Sequence, residues 1–259
     1  MPNENQAKTV SRVAIVTGGS RGLGRNTAVN LAKRGVDVIF TYRTNRAEAD
    51  AAVAEIEALG AKAIALQLDT GRIADFNGFV GQVRDALQAL GQTQFHYLVN
   101  NAGAGHHAPI AEMTEDAFDE LVNVHFKGVY FLAQKLLPLM ADGGRIINIS
   151  SGLARFTVPG ISAYASMKGA IEVFTRYLAK ELGPRGITAN TVAPGAIQTD
   201  FSGGLVRDNP QYNKMVADST ALGRAGIADD IGPMIASLLS DDNRWVNGQR
   251  IEVSGGANL

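Results

Sequence analysis

The chain contains no cysteine, which excludes disulfides, thiolate-ligated zinc and thiol catalysis together. No apolar run approaches the roughly 18 residues of a membrane span, and the first twelve residues, MPNENQAKTVSR, lack the apolar centre of a secretory signal. Charge of one sign is missing too: the formal net charge is −1, with no basic run to serve as a nucleic-acid surface. The expectation is a cytoplasmic protein without membrane or nucleic-acid partners. What the chain has in quantity is glycine, 29 in 259 residues. The glycines stand at the ends of apolar segments, which suits helix caps, tight turns and phosphate loops.

Apolar runs and helical periods alternate along the chain. Strands are expected at 12–17, 36–42, 61–68, 95–100, 144–150, 186–192 and 248–253. Helices are expected at 24–35, 46–60, 72–90, 115–140, 162–182 and 227–240. Thr114, followed by Glu115 and Asp116, makes a capped start for the fourth helix; Pro138 loosens its last turn. Such alternation predicts an α/β fold in one domain spanning 1–259, a doubly wound parallel sheet with helices on both faces. Residues 1–10 are expected to be flexible, and the polar stretch 200–225 to form a substrate lid. Ligands of such sheets bind beyond the carboxyl ends of the strands, near the switch in strand order.

The first of those ends carries TGGSRGLG, with Gly18, Gly22 and Gly24 between strand and helix. Glycines there let the backbone approach a diphosphate that the helix N-terminus attracts, although a glycine-rich turn is as often only a turn. After the second strand come Tyr42, Arg43 and Thr44, with no acid until Glu48. A carboxylate there would bind the ribose of NAD; an arginine suits the 2′-phosphate of NADP(H), and Arg21 is a candidate second grip. Two solvated surface arginines are the plainer alternative.

Tyr164 and Lys168 stand one helical turn apart among small and apolar residues. A cation on the same face favours the phenolate and adapts tyrosine to general acid–base work. The plainer alternative is a packed tyrosine beside a snorkelling lysine. Context favours chemistry, because the strand GRIINIS ends directly at Ser150 and Ser151, on the ligand side of the sheet.

From about residue 11 onward the chain resembles the short-chain dehydrogenase/reductase family, a single-domain Rossmann fold. The resemblance rests on TGGSRGLG, NNAG (100–103), Asn123 in LVNVHFKGVYF, Ser151 in INISSG, YASMK (164–168), APGAIQT (193–199) and VNGQRIEVSGG. It implies a catalytic set: Tyr164 as proton donor, Ser151 on the substrate oxygen, Lys168 lowering the tyrosine pKa and binding the nicotinamide ribose, and Asn123 holding a relay water. It also carries cofactor contacts to Gly18, Ser20, Arg21, Gly22, Leu23, Gly24, Tyr42, Arg43, Thr44, Asp69, Thr70, Asn100, Ala102, Gly103, Pro194, Gly195, Ile197 and Thr199. Hydride transfer between NADP(H) and a carbonyl or alcohol follows. The resemblance further implies a homotetramer built by helices 115–140 and 162–182, with Val129, Val173 and Phe174 as interface candidates. Within the family, the 3-oxoacyl-carrier-protein reductase branch and bacterial-type carbonyl reductases are most similar.

Substrate choice is expected in 103–109, 152–161 and 200–225, where Phe156, Val158, Ile161, Phe201 and Leu205 are candidate pocket residues. His106 and His107 are adjacent rather than four apart, so no metal site is expected. Arg155 and Arg207 are too few for a basic patch that would receive an acidic carrier protein. Two other classes stay open: a non-catalytic NADP-binding sensor or scaffold, and an extended-branch sugar epimerase or dehydratase. The second usually has a different glycine spacing and a larger C-terminal part.

Overall fold

A computed structural model describes residues 11–259; the expected flexible segment 1–10 lies outside the described residues. The seven strands are β1 (Val13–Val16), β2 (Asp37–Tyr42), β3 (Ala63–Gln67), β4 (Phe95–Asn100), β5 (Met140–Ile149), β6 (Thr188–Pro194) and β7 (Arg250–Val253). They form one parallel sheet in the order β3-β2-β1-β4-β5-β6-β7. Alternate strand residues feed two cores. Ala14, Val16, Val38 and Phe40 pack with α1 (Gly22–Ala32), α2 (Arg46–Glu57) and α9 (Gly232–Leu238). Val13, Ile15 and Ile39 pack on the other face with α3 (Phe76–Ala89), α5 (Gly128–Leu136) and α6 (Ser162–Glu181). Burial on both faces explains why these strands read as continuous apolar runs. The chain turns outward in opposite directions from β1 and β4, so the crevice between their carboxyl ends is the switch point.

A buried polar chain fixes the register of α6 on the sheet. The Asn100 amide donates to Asn148 Oδ1 at 2.8 Å, Asn148 donates to Thr175 Oγ1 at 2.9 Å, and Thr175 donates to the Ile171 carbonyl at 2.8 Å. These bonds tie β4, β5 and α6 together in a dry interior, where unmade bonds are costly.

Two expected elements differ. The helix expected at 115–140 is α4 (Glu115–Val122), a wide π-helical turn at Asn123–Lys127, then α5, then a single tight turn Leu137–Leu139 containing Pro138. The Gly128 N–H bonds to the Asn123 carbonyl five residues back. The carbonyls of Thr70 and Asn123 lie so close to Gly128 that a Cβ there would collide with both. The expected lid holds two helices, α7 (Leu205–Asp208) and α8 (Pro210–Asp218). Asn209 caps α8 by accepting from the N–H groups of Gln211 and Tyr212, and Pro210 occupies its first turn. Among the described residues no helix is long and apolar enough to cross a membrane.

Candidate active site

The glycine loop is pinned from several sides. Gly18 and Gly22 have φ of +67° and +55°, which side-chain-bearing residues rarely adopt. Thr41 accepts from the Gly18 N–H through its hydroxyl and from the Gly19 N–H through its carbonyl. The Asn101 amide donates to the Thr17 and Gly18 carbonyls, while Thr17 Oγ1 accepts from the N–H groups of Asn101 and Ala102. The segment 100–103 is thereby held against the loop. A Cβ on Gly24 would run into the Gly18 carbonyl and the Asn101 amide. Gly24→Ala is therefore expected to cost about 1–3 kcal/mol of stability by overpacking, together with weaker dinucleotide binding. Chemical denaturation and a nucleotide titration check both.

No side chain caps the N-terminus of α1, so its first N–H groups are available to an anion. Asn100 Oδ1 is buried without a protein partner. Thr199 lies over Gly22, and Ile197 forms a parallel bridge with Gly226. These features fit a dinucleotide across the switch point. Pro194 is buried at the end of β6, and Gly195 packs on Ser254 with no room for a side chain. Ser20 is also buried, whereas Arg21 and Thr44 are exposed. Leu23 packs on the core. Tyr42 is buried in the core at the end of β2, its ring turned inward by strand alternation. Arg43 is 60% exposed and pairs with Asp69 at 3.2 Å and Glu120 at 3.8 Å. Asp69 also accepts from the Gly71 N–H.

Across the crevice, Ser150 and Ser151 have different fates. The Ser150 hydroxyl donates to the Glu172 carboxylate at 2.7 Å and so belongs to the support of α6. Ser151 Oγ accepts from the Leu153 N–H at 3.2 Å and stands beside Tyr164. The loop behind it is tied down by charge. Glu172 pairs with Arg250, and Arg250 and Arg155 both grip Glu252; Arg155 also donates to the Ala257 carbonyl. Arg155 is engaged within the chain.

Tyr164 and Lys168 share one face of α6. Lys168 is 5% exposed; its Nζ donates to the Ile149 carbonyl at 2.8 Å and lies 5.4 Å from the Tyr164 ring centre. Burial pushes the Lys168 ammonium down to about 7. Burial also pushes the Tyr164 phenol above its ordinary range, with the Ser151 hydroxyl pulling the other way. In the protein alone desolvation dominates the phenol, and the Ser151 hydroxyl is the group that opposes it.

Asn123 does not join this group. It lines a cleft of about 290 Å³ with Arg43, Asp69, Gly71 and Glu120. Against Tyr164 stands His125, 1% exposed, its ring edge-on to the phenol ring at 5.0 Å between centres. Residues two apart on a helix point to nearly opposite sides, so His125 facing Tyr164 turns Asn123 outward. A histidine two residues after Asn123, between the apolar Val124 and Phe126, was the signal in the sequence.

Around the opening, Phe201 is 5.9 Å from Tyr164 between ring centres and abuts Gly105. His107 packs over Gly160, and the Ala108 N–H bonds to the Gly160 carbonyl. Phe156 lies over Gly152 and under the Arg155 guanidinium. Val158 and Leu205 are exposed.

The profile of a family described as enoyl-(acyl carrier protein) reductase matches residues 18–258. The chain belongs to the short-chain dehydrogenase/reductase family. It is 36% identical over 268 residues to a tetrahydroxynaphthalene reductase of Pestalotiopsis fici, covering 99% of this chain and 95% of that one. Among solved short-chain reductases, the promiscuous reductase LugOII, which carries out keto-reduction at C1 in lugdunomycin biosynthesis, superposes with a TM-score of 0.91 at 40% identity, over 96% of this chain and 98% of that one. The angucycline C-6 ketoreductase LanV, solved with NADP, gives 0.91 at 34% identity over 96% of each chain. The single-domain architecture and the oxidoreductase class follow from this membership.

Proposed function

We propose that the protein is an NADPH-dependent carbonyl reductase that converts a ketone, an aldehyde or a 3-oxoacyl group to the alcohol. The observation that carries this reading is the meeting, at the carboxyl end of β5, of the Ser151 hydroxyl with Tyr164 and Lys168 on α6, opposite the uncapped glycine loop. The glycine loop and the α1 N-terminus would hold the diphosphate, and Arg43 with Arg21 the 2′-phosphate. Bound nicotinamide supplies the hydride. Tyr164, kept protonated by burial, delivers its proton to the carbonyl oxygen that Ser151 holds. Lys168 has donors left after its bond to Ile149, and these would serve the nicotinamide ribose. The names of the relatives, among them hydroxynaphthalene and angucycline ketoreductases, support a carbonyl on or near an aromatic ring as the first class to test.

The test is nucleotide oxidation across a panel of aromatic ketones, aliphatic ketones, aldehydes and 3-oxoacyl thioesters, with NADPH and NADH in parallel. Turnover with NADPH in preference to NADH is expected; nucleotide binding without turnover on any carbonyl would favour a sensor. Arg43→Asp is expected to weaken NADPH binding by about 10–100-fold, through a lost charge-assisted bond and a new repulsion, while NADH binding changes little. Equal NADPH affinity in the variant would remove Arg43 from the site. A cytoplasmic homotetramer completes the proposal. The exposed Val173 and Tyr177 of α6 and Tyr130 of α5 supply an apolar face for another copy, and sedimentation measures the assembly.

A further inference from the structure

His125 is the one fully buried imidazole at the site, and nothing in the reading above uses it. Two contacts and one unpartnered nitrogen define it. Its ring edge meets the Tyr164 ring. Its Nε2 faces Ala104, with the carbonyl at 2.6 Å and the N–H at 3.2 Å. Its Nδ1 is buried with no protein partner. The Ala104 carbonyl at 2.6 Å calls for a proton on Nε2, the Ala104 N–H at 3.2 Å for a bare Nε2; the shorter contact decides, because two bare acceptors would repel at that distance, and the hydrogen is assigned to Nε2. Nδ1 is then a bare acceptor. A buried acceptor with nothing to accept is costly, and native proteins rarely leave one without a purpose.

A charged donor stands near enough for its charge to act on the imidazole. Lys168 is held against the same Tyr164 ring from its own helix and has spent one N–H on Ile149. His125 itself is held in place by the wide turn at 123–127 and by Gly103, where a Cβ would lie 2.8 Å from the imidazole Cε1. Burial and the nearby Lys168 charge push the imidazole down to about 3. It therefore does not take up a proton at neutral pH, which separates an acceptor from an acid or base.

We propose that His125 is a positioning residue of the reductase: its Nε2–H anchors the loop at Ala104, its ring edge orients Tyr164, and its Nδ1 accepts a hydrogen bond within the Tyr164–Lys168 system. The bond reaches Nδ1 from the ammonium, or from a water that the ammonium holds. The proposal rests on the carbonyl-reductase reading, and it gives the histidine the place that the family resemblance had assigned to Asn123.

Three substitutions separate the parts. Asn places a polar group near Nδ1 and loses the Ala104 anchor; Gln reaches toward Ala104 and loses Nδ1; Phe keeps the ring edge and loses both nitrogens. With the full chain, His125→Phe and His125→Gln are expected to lower kcat about tenfold or more, as loss of a bond to a charged system does. KM for the carbonyl and the NADPH dissociation constant should stay within about threefold, and His125→Asn should recover most of kcat. Wild-type kcat in His125→Phe, or full activity in His125→Gln with loss in His125→Asn, would overturn the role of Nδ1. Equal loss of NADPH binding and thermal stability in all three variants would make His125 merely structural and overturn it as well. Absence of carbonyl turnover in the wild type would instead sink the reductase reading. Nitrogen-15 NMR of the imidazoles, assigned by the Phe variant, tests the arrangement without turnover: a neutral Nε2–H tautomer is expected, and an Nδ1–H tautomer refutes it.

Discussion

Tyr164→Phe is expected to lower turnover by about 10²–10⁴-fold, the usual contribution of a positioned general acid, with NADPH affinity nearly unchanged. The change removes one oxygen and leaves the ring that packs edge-on with His125 and beside Phe201, so folding should survive it. Burial holds the phenol above its ordinary range, which keeps the proton in place for delivery to a carbonyl oxygen throughout the neutral range. The reverse reaction needs the phenolate and should therefore gain with rising pH, while reduction is favoured at neutral pH. Steady-state kinetics in both directions, with a fluorescence titration of NADPH, measure all of this. Wild-type turnover in the variant would rule out Tyr164 as the proton donor.

Lys168→Met is expected to abolish most activity and at the same time to stabilise the fold at neutral and acidic pH. Lys168 is pushed from an ordinary 10.5 down to about 7 by burial. Below pH 7 the amine is charged in both folded and unfolded chains, and the fold bears the full cost of an unpaired buried cation. Between pH 7 and 10.5 the unfolded chain keeps a proton that the folded one has released, so stability rises with pH across that window. Above 10.5 the contribution vanishes. At 1.36 kcal/mol per pH unit the interval corresponds to on the order of 5 kcal/mol. The lost bond to the Ile149 carbonyl offsets part of it. Methionine should gain a few kcal/mol below pH 7, in line with apolar replacement of buried charge, and the gain should shrink toward pH 10. Urea denaturation at pH 6, 8 and 10 decides it: a variant less stable than wild type at pH 6 would mean that the amine is well compensated where it sits.

The central strands were legible because they are buried on both faces, so VDVIFTY, set off by Gly35 before it, read plainly as a strand. Helices α7 and α8 were hidden by their polar faces, although Asn209 and Pro210 are a cap and a first-turn residue in plain view. The wide turn at 123–127 left no mark in the periodicity, because it depends on the Thr70 carbonyl meeting Gly128 from another part of the chain. That hidden turn governs which of Asn123 and His125 faces Tyr164. The pairing of Tyr164 with Lys168 needed only a helical turn and was readable. The ion pairs of Arg43 and Arg155 join residues far apart in sequence, which no local pattern records.

The Arg155 clamp has a consequence for the order in which the protein becomes competent. The turn after Ser151 is secured by Glu252 and by the Ala257 carbonyl, about a hundred residues later in the chain. As the chain emerges from a ribosome, β1 to β4 and the clasp of Asn101 on the glycine loop are made early, but α9 and Thr199, which pack on the α1 side and over Gly22, arrive late as well. The proton-donating side must wait for the last strand to dock at the sheet edge beside β6. Both sides of the crevice therefore close only when the C-terminal part of the chain has docked, and the final residues latch the turn that carries Ser151.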